Sequence, residues 1–228
     1  MRLRSVTVLL ALLVLPSPVP DIAEAGEHRT LLEDFTRSKP GEFPRSWKAR
    51  DARGRPNHRV LEEDGNRFLR ADVKADSVHV YRRVSWNLDK HPRMAWRWRV
   101  HRFPDNGNEQ DPALNDTAAG VYVTWVDVLR RRVRSIKYLW SATLPQGTEF
   151  KVKTTWFVVV RSGTEGTGEW IAHDADVAAD YERLWERKDE SPDIIMVLTD
   201  ANATGTQAVC DYDDFEALGP NTGAGDGG

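Results

Sequence analysis

The chain has 228 residues and a nearly balanced charge, with 32 Lys and Arg residues against 35 Asp and Glu residues and a formal net charge of −3. This balance argues against nucleic acid as a partner, because nucleic-acid-binding domains carry strongly basic surfaces. The single cysteine, Cys210, excludes an internal disulfide, and the length fits one sandwich or barrel domain better than two small domains.

The N-terminal segment has the features of a secretory signal peptide. Arg2 and Arg4 form a short basic start, residues 5–15 are apolar but too few to cross a bilayer, and residues 23–25 (Ala-Glu-Ala) match the small-x-small cleavage pattern. We therefore predict a signal peptide over residues 1–25, a single β-sandwich domain over residues 26–218 and a flexible, glycine-rich tail over residues 219–228. The mature chain is predicted to have no transmembrane segment and to be periplasmic or secreted.

Alternation of apolar and polar residues with period two dominates the mature chain and predicts strands. The clearest predicted strands are residues 78–84, 96–100, 121–128, 136–140, 156–160, 194–198 and 206–215, and weaker ones are 31–35, 46–49, 58–61 and 68–73. Residues 176–187 instead have apolar side chains at helical spacing, with Asp174 or Asp176 placed to cap a helix. The predicted fold class is all-β: a two-sheet antiparallel β-sandwich, jelly-roll-like, with one short helix.

The order of several sequence blocks also resembles a known family. The blocks are LLEDF followed by FPRSW, then WRWRV, NDTAAGVYVTW, IKYLW, VVVRSG, a short helix containing DY, and VLTDANATG running into CDYDDFE. Together they resemble the bacterial exported proteins of domain-of-unknown-function family 3047, over nearly the whole mature chain. The resemblance implies a bacterial periplasmic or secreted protein, but it implies no activity and no residue roles, because the family has no established activity.

Nine tryptophans are the first candidates for ligand binding, since flat aromatic faces stack on the apolar faces of sugar rings. Trp47, Trp86 and Trp170 stand beside polar or turn residues, so we predict that they are exposed and contact a polysaccharide or peptidoglycan. The alternative is that each closes one end of the sandwich. A separate group lies in apolar strands and is predicted to belong to the core: Trp96, Trp98, Trp140 and Trp156.

A second candidate site is a calcium site. In residues 200–205, side-chain oxygens of Asp200, Asn202 and Thr204 alternate before a glycine, as they do in oxygen-ligated calcium loops. Asp211 and Asp213 share one face of the following strand and complete the predicted ligand set for a structural calcium ion. The alternative is an Asx-type turn with solvated charges at a sheet edge.

No catalytic residue is predicted, because the sequence contains no nucleophile elbow, zinc-protease motif or phosphate loop. We therefore expect a non-catalytic exported module that binds a cell-envelope or environmental carbohydrate. A carbohydrate-active hydrolase or lyase on the same fold is the enzymatic alternative, with two of Asp111, Asp116, Glu165 and Glu169 facing each other across a cleft. The third possibility is an envelope module that binds protein.

Overall fold

In the computed structural model, which describes residues 28–188 and 191–220, the alternating segments form two β-sheets that pack face to face. The prediction of a two-sheet β-sandwich is confirmed. The predicted signal peptide and residues 221–228 of the predicted tail lie outside the described residues. None of the helices in the described ranges has the length and apolar character needed to span a bilayer.

The strands follow one another with short connections along most of the chain. They are β1 (Arg29–Glu33), β2 (Lys48–Ala49), β3 (His58–Glu63), β4 (Asn66–Lys74), β5 (Val80–Arg83), β6 (Arg93–Arg102), β7 (Ala119–Asp127), β8 (Arg132–Ser141), β9 (Glu149–Val152), β10 (Thr155–Ser162), β11 (Ile171–Asp176), β12 (Ile194–Leu198) and β13 (Gln207–Leu218). The six-stranded sheet has the order β11-β6-β13-β4-β3, and β1 pairs with the C-terminal half of β13. The seven-stranded sheet has the order β2-β5-β12-β7-β8-β10-β9.

One pairing departs from the predicted antiparallel arrangement. β10 pairs with β8 in parallel, from Thr155 opposite Ser135 to Ser162 opposite Ser141. β9 reverses the chain between them and pairs with the far side of β10, so β10 lies next to the edge of the sheet. The segment 156–160 is therefore only partly buried, although its apolar composition is typical of a central strand.

The core lies between the sheets and is built from the inward-facing residues of alternating strands. Trp96, Trp98 and Trp140 are buried there, as predicted, together with Tyr138 and Tyr212. Trp156 packs against this core but is only partly buried. The aromatic rings contact one another directly, with centroids 5.3 Å apart for Trp96 and Trp98 and 5.5 Å apart for Trp96 and Tyr138.

Two helices flank the sandwich, one more than predicted. The longer, α2 (Val177–Trp185), begins at Asp176, whose side chain accepts a hydrogen bond from the Ala179 amide and caps the helix as expected. The additional helix, α1 (Gly54–Asn57), is a single turn before β3. Its Gly54 packs so closely that an added Cβ would lie 2.7 Å from Val78.

Candidate functional site

A cleft with a volume of about 650 Å³ crosses the outer face of the seven-stranded sheet. We call it the sheet cleft. It is lined by Arg50, His79, Tyr81, Arg83, Tyr122, Thr124, Val126, Val133, Ser135, Val152, Lys153, Thr154, Thr155, Phe157, Ile194 and Met196. Because these residues come from strands across the whole sheet, the cleft runs across the strands and has room for an extended ligand.

The apolar floor of the sheet cleft follows from strand alternation. In β12, Ile195 and Val197 point into the core, so Ile194 and Met196 face outward. In the same way, Val80 is buried while its neighbour Tyr81 faces the cleft and is half-buried. The result is an outer face that carries aliphatic and aromatic side chains instead of the polar ones expected of a solvated sheet face.

Aromatic rings occupy separate places along this floor. Tyr81 lies on β5, Tyr122 on β7 and Phe157 on β10, in the lining of a single cleft. Phe157 stacks against Phe150, with centroids 4.7 Å apart and planes 19° apart, which holds its ring in a fixed orientation. Such rings provide large contact areas at low cost in side-chain entropy.

The charged residues that line the sheet cleft are all cations. They are Arg50, Arg83 and Lys153, and each is exposed. None of the three forms a salt bridge with a carboxylate in the part of the chain that the structure describes, although the charge of Arg50 contributes to lowering the pKa of Asp51. The Arg50 amide donates a hydrogen bond to the carbonyl of His79 at 2.9 Å, which places this arginine at the β5 side of the cleft.

His79 adds a polar group to the same side of the cleft. Its Nε2 lies 3.3 Å from the hydroxyl of Tyr122, and the two rings meet edge to face. Burial, with the nearby charges of Lys137 and Arg50, lowers the pKa of His79 to about 4. The imidazole is therefore neutral at pH 7 and has a ring nitrogen available for hydrogen bonding.

One end of the outer sheet face is covered, and a lysine is enclosed there. Lys137 follows Val133 and Ser135 on the outward side of β8 but is only 2% exposed. Its Nζ donates to Thr117 Oγ1 at 2.9 Å and lies 5.5 and 5.0 Å from the ring centroids of Tyr122 and Phe157. Burial lowers the pKa of Lys137, although Asp200 and other buried carboxylates oppose this shift.

The segments that cover Lys137 are joined by buried aspartates. Asp116, which is 1% exposed, accepts hydrogen bonds from the Ala203 amide at 3.0 Å and from the amide and hydroxyl of Thr204, each at 2.7 Å. Asp200 accepts the Thr117 amide at 2.5 Å, and its own amide donates to the Thr117 carbonyl. Burial raises the pKa of Asp200 to about 6. These bonds join residues 116–117 to residues 200–204 above the lysine.

Sequence comparison places the whole cleft inside a single family match. The family described as "Protein of unknown function (DUF3047)" matches residues 45–216, a range that contains every residue lining the sheet cleft. The chain belongs to the DUF3047 family. No curated protein is significantly similar to this DUF3047 chain.

The solved structures that match the DUF3047 chain have low sequence identities and low TM-scores. A carbohydrate-binding module specific for non-crystalline cellulose, CBM28, is 9% identical with a TM-score of 0.43, over 83% of this chain and 92% of that one. Endoglucanase 3 of Trichoderma harzianum, from family GH12, is 9% identical with a TM-score of 0.40, over 87% and 100%. TmCBM61, solved with β-1,4-galactotriose, is 12% identical with a TM-score of 0.36, over 80% and 96%.

The three tryptophans predicted to bind ligand lie outside the sheet cleft of the DUF3047 chain. The expectation that Trp47 and Trp86 are exposed is wrong, since they are 4% and 5% exposed. Trp47 donates to Glu33 Oε2 and packs against Phe35, and Trp86 donates to the carbonyl of His91. Both close the sandwich, because a buried indole N–H requires an acceptor and these sites supply one.

Trp170 is the one of the three that is only half-buried, and it lies over the outer face of the six-stranded sheet. Arg97 and Arg99 lie above its ring, at 5.0 and 4.6 Å from the centroid, and Phe68 meets it edge to face. The ring is thus covered by arginine side chains, on the opposite side of the sandwich from the sheet cleft.

The four predicted calcium ligands are not brought together. Asp211 and Asp213 share a face, as predicted, but that face carries arginines: Asp211 pairs with Arg70 and Arg99, and Asp213 pairs with Arg97. Asp200 lies at the other sheet, and Asn202 is exposed. Within the described ranges, no group of three or more His, Cys, Asp or Glu residues is placed to hold a metal ion.

The turn at residues 203–204, part of the predicted calcium loop, binds a negatively charged side chain instead of a cation. Backbone amides of residues 203 and 204 point inward and surround the carboxylate of Asp116. A loop that binds a cation points oxygen atoms inward, whereas this one points N–H groups at an anionic side chain. Asp116, one of the carboxylates considered for catalysis, is therefore occupied in holding this turn.

The sequence prediction missed the aromatic residues and cations of the sheet cleft. The signal that could have identified them is the alternation in β5 and β12, where Tyr81 and Met196 fall on the face opposite buried valines. Outward aromatic and aliphatic residues on two strands indicate a covered or ligand-binding face.

Proposed function

We propose that this chain is an exported, non-catalytic module that binds a carbohydrate of the cell envelope or the environment in the sheet cleft. The observation that supports this most directly is that Tyr81 and Phe157, both half-buried, lie on the floor of one open cleft. The ring of Tyr81 provides a stacking surface for a sugar, and Phe157, whose ring is held between Phe150 and Lys137, extends the apolar floor. Thr155 and His79 provide hydrogen-bonding groups beside them.

Binding is favoured over hydrolysis by the charges in the cleft. Glycosidases use two carboxyl groups that face each other across the scissile bond. In the lining of the sheet cleft, as far as the structure describes it, the charged groups are Arg50, Arg83 and Lys153. The hydrolase or lyase alternative stays testable by measuring the release of reducing sugars from every glycan that binds.

Export to the periplasm or medium is part of the proposal and is supported by the N-terminal sequence. Residues 1–25 combine a basic start, a short apolar run and a small-x-small site. We expect the protein recovered from the periplasm or medium to begin at Gly26. Mass spectrometry of that protein tests the cleavage site directly, and an intact Met1 in exported material would overturn it.

The binding experiment uses residues 26–228 on insoluble polysaccharides and on peptidoglycan, with calcium and with chelator. Tyr81→Ala and Phe157→Ala should each weaken retention by roughly tenfold, because stacked aromatic residues dominate such contacts. Trp170→Ala removes an aromatic ring of similar exposure from the opposite sheet. Loss of retention in Trp170→Ala but not in the cleft variants would overturn the assignment to the sheet cleft, and no retention on any polymer would overturn the function.

The comparison of calcium with chelator tests whether retention requires a calcium ion. A structural calcium ion bound by Asp200, Asn202, Asp211 and Asp213 was expected from the sequence, and these residues lie apart. Retention that is equal in calcium and in chelator is the result expected from this arrangement. A loss with chelator would indicate an ion held elsewhere or by the ligand.

A further inference from the structure

The cations of the sheet cleft are an exception to the pairing seen on the other face of the sandwich. On the six-stranded sheet, Arg70 and Arg99 pair with Asp211 at 2.6 and 2.9 Å, and Arg97 pairs with Asp213 at 2.9 Å. The charges of these three arginines are neutralised within the protein. In the sheet cleft, Arg50, Arg83 and Lys153 have no such partner among the described residues.

These cations lie at opposite ends of the cleft. Arg50 follows β2 and Arg83 ends β5 on one side, while Lys153 is in the turn between β9 and β10 on the other. Five strand spacings of about 4.8 Å separate β5 from β9, so the two ends are roughly 24 Å apart along the sheet. A ligand that contacts all three must be extended and must carry more than one negative charge.

The floor between the cations is aromatic and aliphatic, with the hydroxyl group of Thr155 beside it, while the buried hydroxyl groups of Thr124 and Ser135 bond to each other. A small inorganic anion would leave this floor uncovered. A chain of sugars would cover it with ring faces while placing charged substituents at the ends.

We infer that the ligand of the sheet cleft is an acidic polysaccharide, with carboxylate groups bound by Arg50 and Arg83 at one end and by Lys153 at the other. This inference rests on the proposed function and names its ligand class. A guanidinium can hold a carboxylate with two parallel hydrogen bonds, and the ammonium of Lys153 acts as a point charge. The unpaired cations also attract polyanions before contact, although the protein as a whole is weakly negative.

The test compares polymers that differ only in charge. Polygalacturonate and alginate are measured against the same polymers after methyl esterification of their carboxyl groups, by affinity electrophoresis and calorimetry. We expect binding to the acidic forms, at least tenfold weaker binding to the esters, and a steady loss of affinity as salt is raised. Duplex DNA serves as a polyanion of another class.

Charge-removing variants locate the effect on the protein. Arg50→Gln, Arg83→Gln and Lys153→Gln should each weaken binding of the acidic polymer roughly three- to tenfold and leave binding of the ester unchanged. Arg59→Gln is the matched control, because Arg59 is an exposed arginine on β3 of the other sheet and its loss changes the net charge equally.

Each outcome has a separate meaning. Equal binding of acid and ester that is lost in Tyr81→Ala would keep the proposed function and overturn the acidic ligand. Binding of DNA that depends on the same three cations and exceeds binding of the acidic polymers would overturn it in favour of nucleic acid. No binding of any glycan, charged or neutral, would overturn the proposed function itself.

Discussion

The ammonium group of Lys137 donates a hydrogen bond to the hydroxyl of Thr117 at 2.9 Å in a site that is closed to solvent. A lysine ammonium has three N–H donors, and among the described residues this one has one hydrogen-bond acceptor, two aromatic faces and the field of nearby carboxylates. The packing of residues 116–117 and 200–204 over this lysine therefore depends on a balance of charges that pH can alter.

Lys137→Met should destabilise the fold more at pH 8 than at pH 5. At pH 8 Asp200 is ionised, and removing the lysine leaves this buried carboxylate with its hydrogen bonds but without its nearby cation, at a cost of roughly 3 kcal/mol. At pH 5, below the pKa of about 6, Asp200 is largely protonated and depends less on the lysine. Urea unfolding at both pH values measures the difference, and an equal loss of stability at both would contradict the charge coupling.

Substitutions at Gly120 and Lys137 should have non-additive effects on the free energy of unfolding, because the two residues are in contact. A Cβ on Gly120 would lie 2.5 Å from Cε of Lys137, so Gly120→Ala forces the lysine to move and should cost about 1 to 3 kcal/mol. In a Lys137→Ala background the same change should cost less than about 0.5 kcal/mol, because the obstructing chain is gone. Gly219→Ala, where the nearest atom is 3.5 Å from the added Cβ, is the control. Additive costs in the double variant would refute the contact.

Asp116→Ala should loosen the turn at residues 203–204. The change leaves two amides and one hydroxyl without their acceptor, and we expect a loss of roughly 2 to 3 kcal/mol. Thr204→Val removes the hydroxyl contacts with Asp116 and Thr206 but keeps both amide contacts, and it should cost about 1 kcal/mol. Hydrogen exchange of the Ala203 and Thr204 amides measures the local effect. Unchanged protection of both amides in Asp116→Ala would show that the carboxylate does not hold the turn.

His58 should make the fold sensitive to acid. Its ring is 1% exposed and Nδ1 lies 2.7 Å from the carbonyl of Gly54, while burial lowers its pKa to about 4. The unfolded chain takes up a proton near pH 6.5 and the folded protein only near pH 4, so this group's contribution to stability is lost as pH falls through that window. The contribution is at most about 3 kcal/mol.

The measurement for His58 is the difference between wild type and His58→Gln in denaturant unfolding from pH 7 to pH 4. The wild type should lose its advantage over this range. Two aspartates act in the opposite direction, because the pKa values of Asp200 and Asp213 are raised to about 6 and their contributions to stability are lost as pH rises. Both aspartates are present in both proteins, so their effects cancel in the difference. Parallel curves for the two proteins would contradict the prediction.

Most strands follow from local sequence, because period-two alternation reports directly on which face of a strand is buried. Two strands, β9 and β11, are not predicted by this alternation. β9 is a four-residue edge strand, and β11 has the sequence Ile-Ala-His-Asp-Ala-Asp, in which polar and apolar residues do not alternate. The capping aspartate of α2 could be predicted because a cap depends only on the following turn.

Pairing between distant segments could not be predicted in this way. The parallel contact of β8 with β10 and the contact of Asp116 with Thr204, 88 positions apart, are set by the packing of the whole sandwich. The sheet cleft is a product of the same packing, because only the order of the strands brings Arg50, Tyr81 and Phe157 into the lining of one cleft.

The last strand of the chain, β13, lies at the centre of its sheet, with β6 on one side and β4 and β1 on the other. The three strands that pair with it, β1, β4 and β6, therefore lack this partner until residues 207–218 have been synthesised. Because contacts of such long sequence separation delay folding, the six-stranded sheet should form only after residues 207–218 have left the ribosome. Until then the unpaired edges of β4 and β6 are available for binding by chaperones.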